Sequence, residues 1–140
     1  GLPNIRTELQ DASVCREEWK DSADVVLCDV PCSGLGIIRK KPEIRFKNPD
    51  EIQTLPEIQA RILANCAQYV KKGGTLVYST CTILQRENED VVRAFLTENP
   101  EFEAVSWTHP VCGERADGMV TLLPPVHNTD GFFIAKFRRK

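Results

Sequence analysis

Two apolar runs separated by a helical repeat dominate the pattern of the chain. Residues 23–28 carry apolar side chains with almost no polar alternation, and residues 75–79 form a second run that resembles the first. Runs of this kind are typical of parallel strands that helices bury on both faces. The apolar repeat of residues 56–71 follows helical spacing and is long enough for a right-handed crossover. The pattern therefore predicts a β-α-β unit whose two strands are parallel neighbours.

Shorter segments complete the predicted order of elements. Alternating apolar and polar residues at 5–9 predict a first strand, and residues 87–99 repeat at helical spacing. Residues 102–107 and 132–137 predict the closing strands, which are joined by loops too short for a helix. We expect the order strand, strand, helix, strand, helix, strand, strand, with an antiparallel ending.

The composition indicates one globular domain or part of one. The chain has 140 residues, 41% of them hydrophobic, and its 18 basic and 20 acidic residues give a net charge of −2. This balance neither supports nor excludes a nucleic-acid partner, because such binding depends on local patches. Residues 39–47 form one such patch, with five basic residues and one acidic residue. No apolar run approaches the roughly 18 residues of a membrane span.

The chain contains six cysteines, two of which lie in segments that suggest chemistry. The count alone would suit a secreted disulfide framework, but Cys28 and Cys66 lie inside apolar strand and helix patterns without a leader pattern. We therefore expect reduced thiols and a cytoplasmic protein. Cys32 follows the first apolar run and Cys81 follows the second. No spacing typical of a metal site is present, so we expect no metal.

A parallel arrangement would bring Cys32 and Cys81 to one edge of the sheet. This edge is where open α/β sheets bind their ligands. A cysteine reacts as its thiolate, which loop exposure and nearby backbone N–H groups favour, and both cysteines have that setting. Free cysteines are also among the residues most often buried, so a structural role is the competing interpretation. Asp29, at the end of the first run, either caps the following turn or accepts a hydrogen bond in a ligand pocket.

These segments resemble those of the Sun/Fmu-type RNA (cytosine-5) methyltransferases. The similarity lies in residues 29–36 (Asp-Val-Pro-Cys-Ser-Gly-Leu-Gly) and residues 78–82 (Tyr-Ser-Thr-Cys-Thr). It also includes residues 72–77 and 129–133. It implies an α/β, partial Rossmann-like, S-adenosylmethionine-dependent methyltransferase fold with an antiparallel C-terminal strand pair. Residues 1–140 would form the C-terminal part of the catalytic domain. The Gly-rich loop after the family's first strand has no match, so we expect the first two strands to be lacking.

The resemblance implies unequal roles for the two cysteines in methylating carbon 5 of a cytosine in ribosomal RNA. Carbon 5 of cytosine is a poor nucleophile, and a thiolate that adds to carbon 6 makes it reactive towards a methyl cation. By resemblance, Cys81 is this nucleophile. Cys32 would assist removal of the carbon 5 proton and release of the product, and Asp29 would contact the target base.

The same resemblance implies how the cofactor and the RNA would be held. Asp11, Asp29 and Pro31 are expected beside S-adenosylmethionine, with Asp11 ending the first strand and contacting the adenine. The residues expected to hold the backbone of small-subunit ribosomal RNA are Arg39, Lys40 and Arg45. A solvated charged face is the competing interpretation of this basic stretch. No membrane partner is expected, and unpaired strand edges predict self-association or an atypical pairing of residues 5–9.

Two other functions remain open from the sequence. In a DNA-type cytosine methyltransferase the nucleophile belongs to a Pro-Cys motif, so Cys32 would attack and Cys81 would be incidental. Alternatively, the chain is a non-catalytic RNA-binding module, in which a pair of cysteines at one sheet edge would have no role.

The unmatched Gly-rich loop gives a prediction for the isolated chain. Without the residues that hold the methionine and ribose of the cofactor, the chain should bind S-adenosylmethionine weakly or not at all and should not methylate RNA. Titration calorimetry with the purified chain measures this directly, and micromolar binding would refute the expectation.

Overall fold

The computed structural model describes residues 2–140, which form a mixed β-sheet with helices packed against one face. Helices α1 to α4 span Pro49–Gln53, Leu55–Tyr69, Glu89–Glu98 and Pro124–His127. Strands β1 to β7 span Ala23–Asp29, Val70–Thr80, Phe102–Ala104, Trp107–His109, Gly113–Arg115, Met119–Leu122 and Phe132–Arg139. The main sheet has the order β1-β2-β7-β3, β6 also pairs with β7, and β4 and β5 form a separate hairpin.

Strands β1 and β2 pair in parallel, as the sequence predicts. Cys28 lies opposite Tyr78 and Asp29 lies opposite Ser79, so both strands end at the same edge of the sheet. Helix α2 is the crossover between them. The last strand, β7, runs antiparallel to β2, β3 and β6, which confirms the predicted antiparallel ending.

Helices α2 and α3 begin close to the positions predicted from the sequence, and the first turns of α1 and α2 carry residues that favour a helix start. At α1, the backbone N–H of Asp50 donates to the side chain of Asn48 at 3.0 Å. Pro49 follows this cap and Pro56 lies in the first turn of α2, where a proline loses no helical hydrogen bond. No helix in residues 2–140 is long and apolar enough to cross a membrane.

The core lies between helices α2 and α3 and the sheet face that they cover. Strands β2 and β7 each contribute alternate side chains, all 0% exposed, namely Leu76, Tyr78, Phe133, Ala135 and Phe137. The helices contribute Leu63, Val92 and Phe95 to the same cluster. The period of two along each strand places these side chains on one face, as a half-buried sheet requires.

The predicted first strand at residues 5–9 is wrong. Residues 5–9 form no strand in the structure. Ile5 and Leu9 are 58% and 103% exposed. A strand needs a neighbour for its backbone N–H and C=O groups, and no strand within residues 2–140 pairs with this segment. The apolar side chains of residues 5–9 therefore stay exposed and are not stabilised by burial. The atypical pairing that the sequence predicted for this segment does not occur within residues 2–140.

The prediction that β1 is buried on both faces is also wrong. Val26 and Cys28 face the core, whereas Val25 and Leu27 are 65% and 68% exposed. Helices α2 and α3 cover only one face of the sheet, and nothing else in residues 2–140 covers these two side chains. The continuous apolar run correctly predicted a strand but not how many of its faces are covered.

The predicted strand at residues 102–107 divides into β3 and β4. Phe102 and Ala104 pair with β7, while Trp107 pairs with Arg115 in the hairpin of β4 and β5. Both strands have apolar side chains that are at least partly buried, since Phe102 contributes to the core and Trp107 is half-buried. For this reason the sequence pattern does not show where one strand ends and the next begins.

Two glycines bring the Cys32 loop against the start of β7. The backbone N–H of Gly36 donates to the carbonyl of Cys81 at 3.0 Å, and the N–H of Gly131 donates to the carbonyl of Gly36 at 2.8 Å. A Cβ atom on Gly36 would lie 2.1 Å from the carbonyl oxygen of Gly131. Only glycine permits this approach, so the contact fixes the loop relative to the sheet.

We predict that Gly36→Ala lowers the free energy of unfolding by about 1–3 kcal/mol, because the added methyl group meets backbone that cannot move away alone. The matched control is Gly73→Ala, where φ is +78° and no atom lies within 4 Å, so only about 1 kcal/mol of left-handed strain is expected. Urea unfolding measures both variants. A smaller loss for Gly36→Ala than for Gly73→Ala would contradict the steric explanation.

Candidate active site

The two cysteines predicted to meet at the sheet edge do so. The sulfur atoms of Cys32 and Cys81 lie 3.1 Å apart. The backbone N–H of Cys81 also donates to the sulfur of Cys32, at 3.3 Å. Both side chains are half-buried, so each is shielded from bulk water but reachable from one side. This geometry confirms the predicted meeting of the two segments, while the role of each thiol remains a proposal.

Asp29 holds the ends of the two strands together. The hydroxyl of Ser79 donates to its Oδ1 at 2.8 Å, across the β1–β2 pair in which the two residues are opposite. The backbone N–H of Val30 donates to the carbonyl of Ser79 at 3.2 Å. Asp29 is exposed. The structure therefore gives this carboxylate a bracing role at the strand ends, and contact with a base stays a prediction.

A cavity of about 360 Å³ opens beside the two thiols. Ile37 and Ile44 supply apolar lining, and Lys41 and Lys47 bring cationic groups to it. The volume lies within the range typical of small-molecule sites, and apolar walls with a few polar groups suit a flat aromatic ring. The cavity could therefore hold a single base with the two sulfurs at its wall.

The predicted RNA-binding residues do not line this cavity. Arg39, Lys40 and Arg45 are exposed, and Lys40 forms an ion pair with Asp130. The neighbouring Lys47 does line the cavity, and its Nζ donates to the carbonyl of Ser33 at 2.9 Å. The exposed position of Arg39, Lys40 and Arg45 is compatible with contacts to a nucleic-acid backbone, and these contacts stay a prediction.

The residues predicted to bind the cofactor do not form an enclosed site. Asp11 ends no strand, and its carboxylate accepts hydrogen bonds from the backbone N–H and the hydroxyl of Ser13, at 2.9 Å and 2.7 Å. These bonds lower the pKa of Asp11. Asp11, Asp29 and Pro31 are all exposed, and within residues 2–140 none of them lines the cavity beside the thiols or the cavity lined by Gln10 and Ala12. The residues present therefore do not fit S-adenosylmethionine as a complete site.

The thiol pair can carry at most one negative charge near neutral pH, because two thiolates 3.1 Å apart would repel each other. Burial and, to a lesser extent, the hydrogen bond with Cys81 together raise the pKa of Cys32 to about 12. Cys32 is therefore a thiol at neutral pH, and a thiol beside a second sulfur can donate a hydrogen bond to it. The arrangement suits one nucleophile and one proton carrier.

A buried polar cluster lies behind the two cysteine segments and was not predicted from the sequence. Its members are all 0% exposed: Ser33, Gln59, Thr82, Glu87 and Asn88. Glu87 and Asn88 resemble ordinary helix-start residues in the sequence. The only signal was the run of hydroxyl residues around Cys81, since buried hydroxyls need hydrogen-bonding partners.

The remaining cysteines and histidines form no metal site within residues 2–140. The interaction of Cys28 of β1 with Cys66 of α2 raises the pKa of Cys28 and lowers that of Cys66. The ring of His109 accepts from the backbone N–H of Cys112 at 3.2 Å. His127 likewise accepts from a backbone N–H, at 2.9 Å, so both rings have local structural partners.

Comparisons with known proteins show one consistent family. The model of the family described as 16S rRNA methyltransferase RsmB/F matches residues 1–138. The "Probable ribosomal RNA small subunit methyltransferase B" of Bacillus subtilis is 44% identical over 147 residues, which cover 100% of this chain and 33% of that protein. The crystal structure of PH0851 has a TM-score of 0.85 at 37% identity, covering 93% of this chain and 30% of that chain. A methyltransferase homolog protein from Pyrococcus horikoshii has a TM-score of 0.66 at 31% identity, covering 84% and 39%.

We predict that Cys32 resists alkylation in the folded chain. With a pKa of about 12, only about one Cys32 thiol in 10,000 is ionised at pH 8. Iodoacetamide should label it about a thousandfold more slowly than in the urea-unfolded chain, where the pKa returns to about 8.5. Peptide-level mass spectrometry follows the labelling, and the rate should rise about tenfold per pH unit between pH 8 and 11. Equal rates in the folded and unfolded chain would contradict the raised pKa.

Proposed function

Because this chain belongs to the 16S rRNA methyltransferase RsmB/F family, we propose that it carries the catalytic thiols that methylate carbon 5 of a cytosine in small-subunit ribosomal RNA. The observation that carries the proposal is the 3.1 Å contact between Cys32 and Cys81 at the wall of a base-sized cavity. The chain spans about a third of the length of the first curated relative that it matches. The activity, substrate and partners of the whole protein therefore belong to the proposal.

The proposed reaction begins with addition of the Cys81 thiolate to carbon 6 of the cytosine. A carbon–sulfur bond forms, and the electrons of the 5,6 double bond become available at carbon 5, which is then enamine-like. S-adenosylmethionine, if bound in the complete protein, would supply the methyl group to carbon 5, and its sulfur would keep the electrons of the broken sulfur–methyl bond. A base next removes the carbon 5 proton, the double bond re-forms, and Cys81 leaves with the electrons of the carbon–sulfur bond.

We assign the second half of this reaction to Cys32. While Cys81 is a thiolate, its negative charge is one of the causes of the raised pKa of Cys32. Once Cys81 is bonded to carbon 6 it carries no charge, so ionisation of Cys32 becomes easier. Cys32 would then release its own proton to solvent, and the resulting thiolate, a strong base, would take the carbon 5 proton. Its place beside Cys81 suits proton return when the product leaves.

The cavity suggests how the base and the RNA are held. Apolar contacts from Ile37 and Ile44 would pack against the ring, and Lys41 and Lys47 would attract phosphate groups. Asp29 remains our candidate for a contact with the edge of the base. The exposed residues proposed to extend the contact along the RNA backbone are Arg39, Lys40 and Arg45.

We propose that Asp11, Asp29 and Pro31 contribute to an S-adenosylmethionine site completed by residues outside residues 2–140. We propose, together with this site, a partial Rossmann-like fold that lacks its first two strands. Strand β1 lies at the edge of the main sheet with one side unpaired within residues 2–140, which is compatible with self-association of a cytoplasmic protein.

Two observations weigh against the competing functions. The DNA-type mechanism needs Cys32 as nucleophile, but its raised pKa keeps it a thiol at neutral pH. A non-catalytic RNA-binding module would not require two sulfur atoms in contact at a cavity wall. The methyltransferase proposal accounts for both thiols with different roles.

We predict opposite effects of the two cysteine substitutions in a full-length enzyme that carries this chain. Each of Cys81→Ala and Cys32→Ala should lower turnover at least about a thousandfold. Cys81→Ala should form no covalent complex with unmodified RNA, because no bond to carbon 6 can form. Cys32→Ala should accumulate that complex, because release is impaired.

Denaturing gel electrophoresis of labelled RNA detects the complex, and Cys112→Ala is a matched control outside the cavity. Accumulation in Cys81→Ala, or loss of the complex in Cys32→Ala, would reverse the assignment.

A further inference from the structure

Glu87 connects the two cysteine segments through a single carboxylate. It is 0% exposed. Its Oε2 accepts from the backbone N–H of Ser33, the residue after Cys32, at 2.9 Å. Its Oε1 accepts from the hydroxyl of Thr82, the residue after Cys81, at 3.4 Å. One side chain therefore contacts the immediate neighbour of each thiol.

Gln59 of α2 strengthens the connection on the side of Cys32. Its Nε2 donates to Oε2 of Glu87 at 2.9 Å and to the carbonyl of Pro31, which precedes Cys32, at 3.0 Å. The residues on both sides of this cysteine are therefore tied to the same carboxylate. Because these contacts are buried, water cannot replace a partner that is lost.

The position of Glu87 is itself fixed by buried contacts. The hydroxyl of Tyr78 donates to the backbone carbonyl of Glu87 at 2.6 Å. The next residue, Asn88, accepts from the hydroxyl of Thr80 at 2.6 Å and donates to the carbonyl of Thr82 at 3.1 Å. The residues on either side of the second thiol are thus held by the segment that carries the carboxylate.

We infer that Glu87 is a positioning residue that keeps the Cys32 and Cys81 segments in contact for reaction. It acts through Ser33 and Thr82 and not on the reacting atoms. An apolar side chain in its place would leave the buried N–H of Ser33 and one N–H of the Gln59 amide without an acceptor, so the segments would separate to reach water. The inference rests on the proposed function, because the contact matters for reaction only if both thiols act.

The contact can be measured in this chain without any methyltransferase activity. Oxidised glutathione converts the Cys32 and Cys81 thiols to a disulfide, takes up the two electrons and two protons, and is itself converted to two molecules of reduced glutathione. The sulfurs need to approach only about 1 Å closer than their present contact. We expect Glu87→Ala to slow formation of this disulfide, mapped by mass spectrometry, by about tenfold or more.

Two further variants separate positioning from general stability. Glu87→Gln retains an oxygen for Ser33 and Gln59 and offers its amide to the hydroxyl of Thr82, so we expect a rate within about twofold of the unchanged chain. Asn65→Ala removes another buried polar side chain, 4% exposed, which bonds to the carbonyls of Ala12 and Val14. This control should lower stability without slowing the disulfide.

If Glu87→Ala does not fold, as judged by circular dichroism, Gln59→Leu takes its place and should slow the disulfide by several-fold. Unchanged rates in the folded variants, or equal slowing by Asn65→Ala, would overturn the inference. In a full-length enzyme, Glu87→Ala should lower kcat by about tenfold to a hundredfold with little change in KM for RNA.

The two readouts distinguish failure of the inference from failure of the proposed function. A loss of kcat without slower disulfide formation rejects positioning by Glu87 and leaves the function intact. Slower disulfide formation without any loss of kcat rejects a functional need for the thiol contact.

Discussion

The parallel pairing of β1 with β2 determines where the chemistry of this chain can occur. It sets Asp29 opposite Ser79, and a few residues beyond this pair the chain leaves the sheet at Cys32 and Cys81. The two thiols therefore meet although 49 positions separate them in sequence. A shift of one residue in this register would turn every side chain of β1 to the opposite face and separate the thiols.

Close approach of the thiols depends on more than strand pairing, because loops after strands are free to move unless something holds them. Glu87 and its partners hold both loops from the buried side, and the contact of Gly36 with Gly131 holds one of them against β7. Each hydrogen bond contributes only about 1 kcal/mol to stability, whereas a buried donor left without a partner costs about 1–3 kcal/mol. The main effect of the polar cluster is therefore to make other positions of the two loops unfavourable. Its direct contribution to the stability of the fold is smaller.

The sequence predicted the elements that apolar patterning determines. The parallel pair, the α2 crossover, the antiparallel ending and the meeting of Cys32 and Cys81 all follow from runs and repeats with a short-range physical cause. The strand at residues 5–9 was wrong because a strand depends on a neighbour that a local pattern cannot supply. Glu87 was missed because a buried acid at a helix start is indistinguishable, in one sequence, from an exposed one.

The central claim is that Cys81 is the nucleophile and that the second sulfur acts on the proton. The most direct measurement uses a full-length enzyme carrying this chain, with S-adenosylmethionine and an RNA substrate that contains 5-fluorocytosine. Fluorine at carbon 5 cannot leave as a proton does, so the covalent complex persists and can be digested and mapped by mass spectrometry. The account predicts that the modified nucleotide is attached to the peptide containing Cys81. Attachment to the peptide containing Cys32 would contradict it.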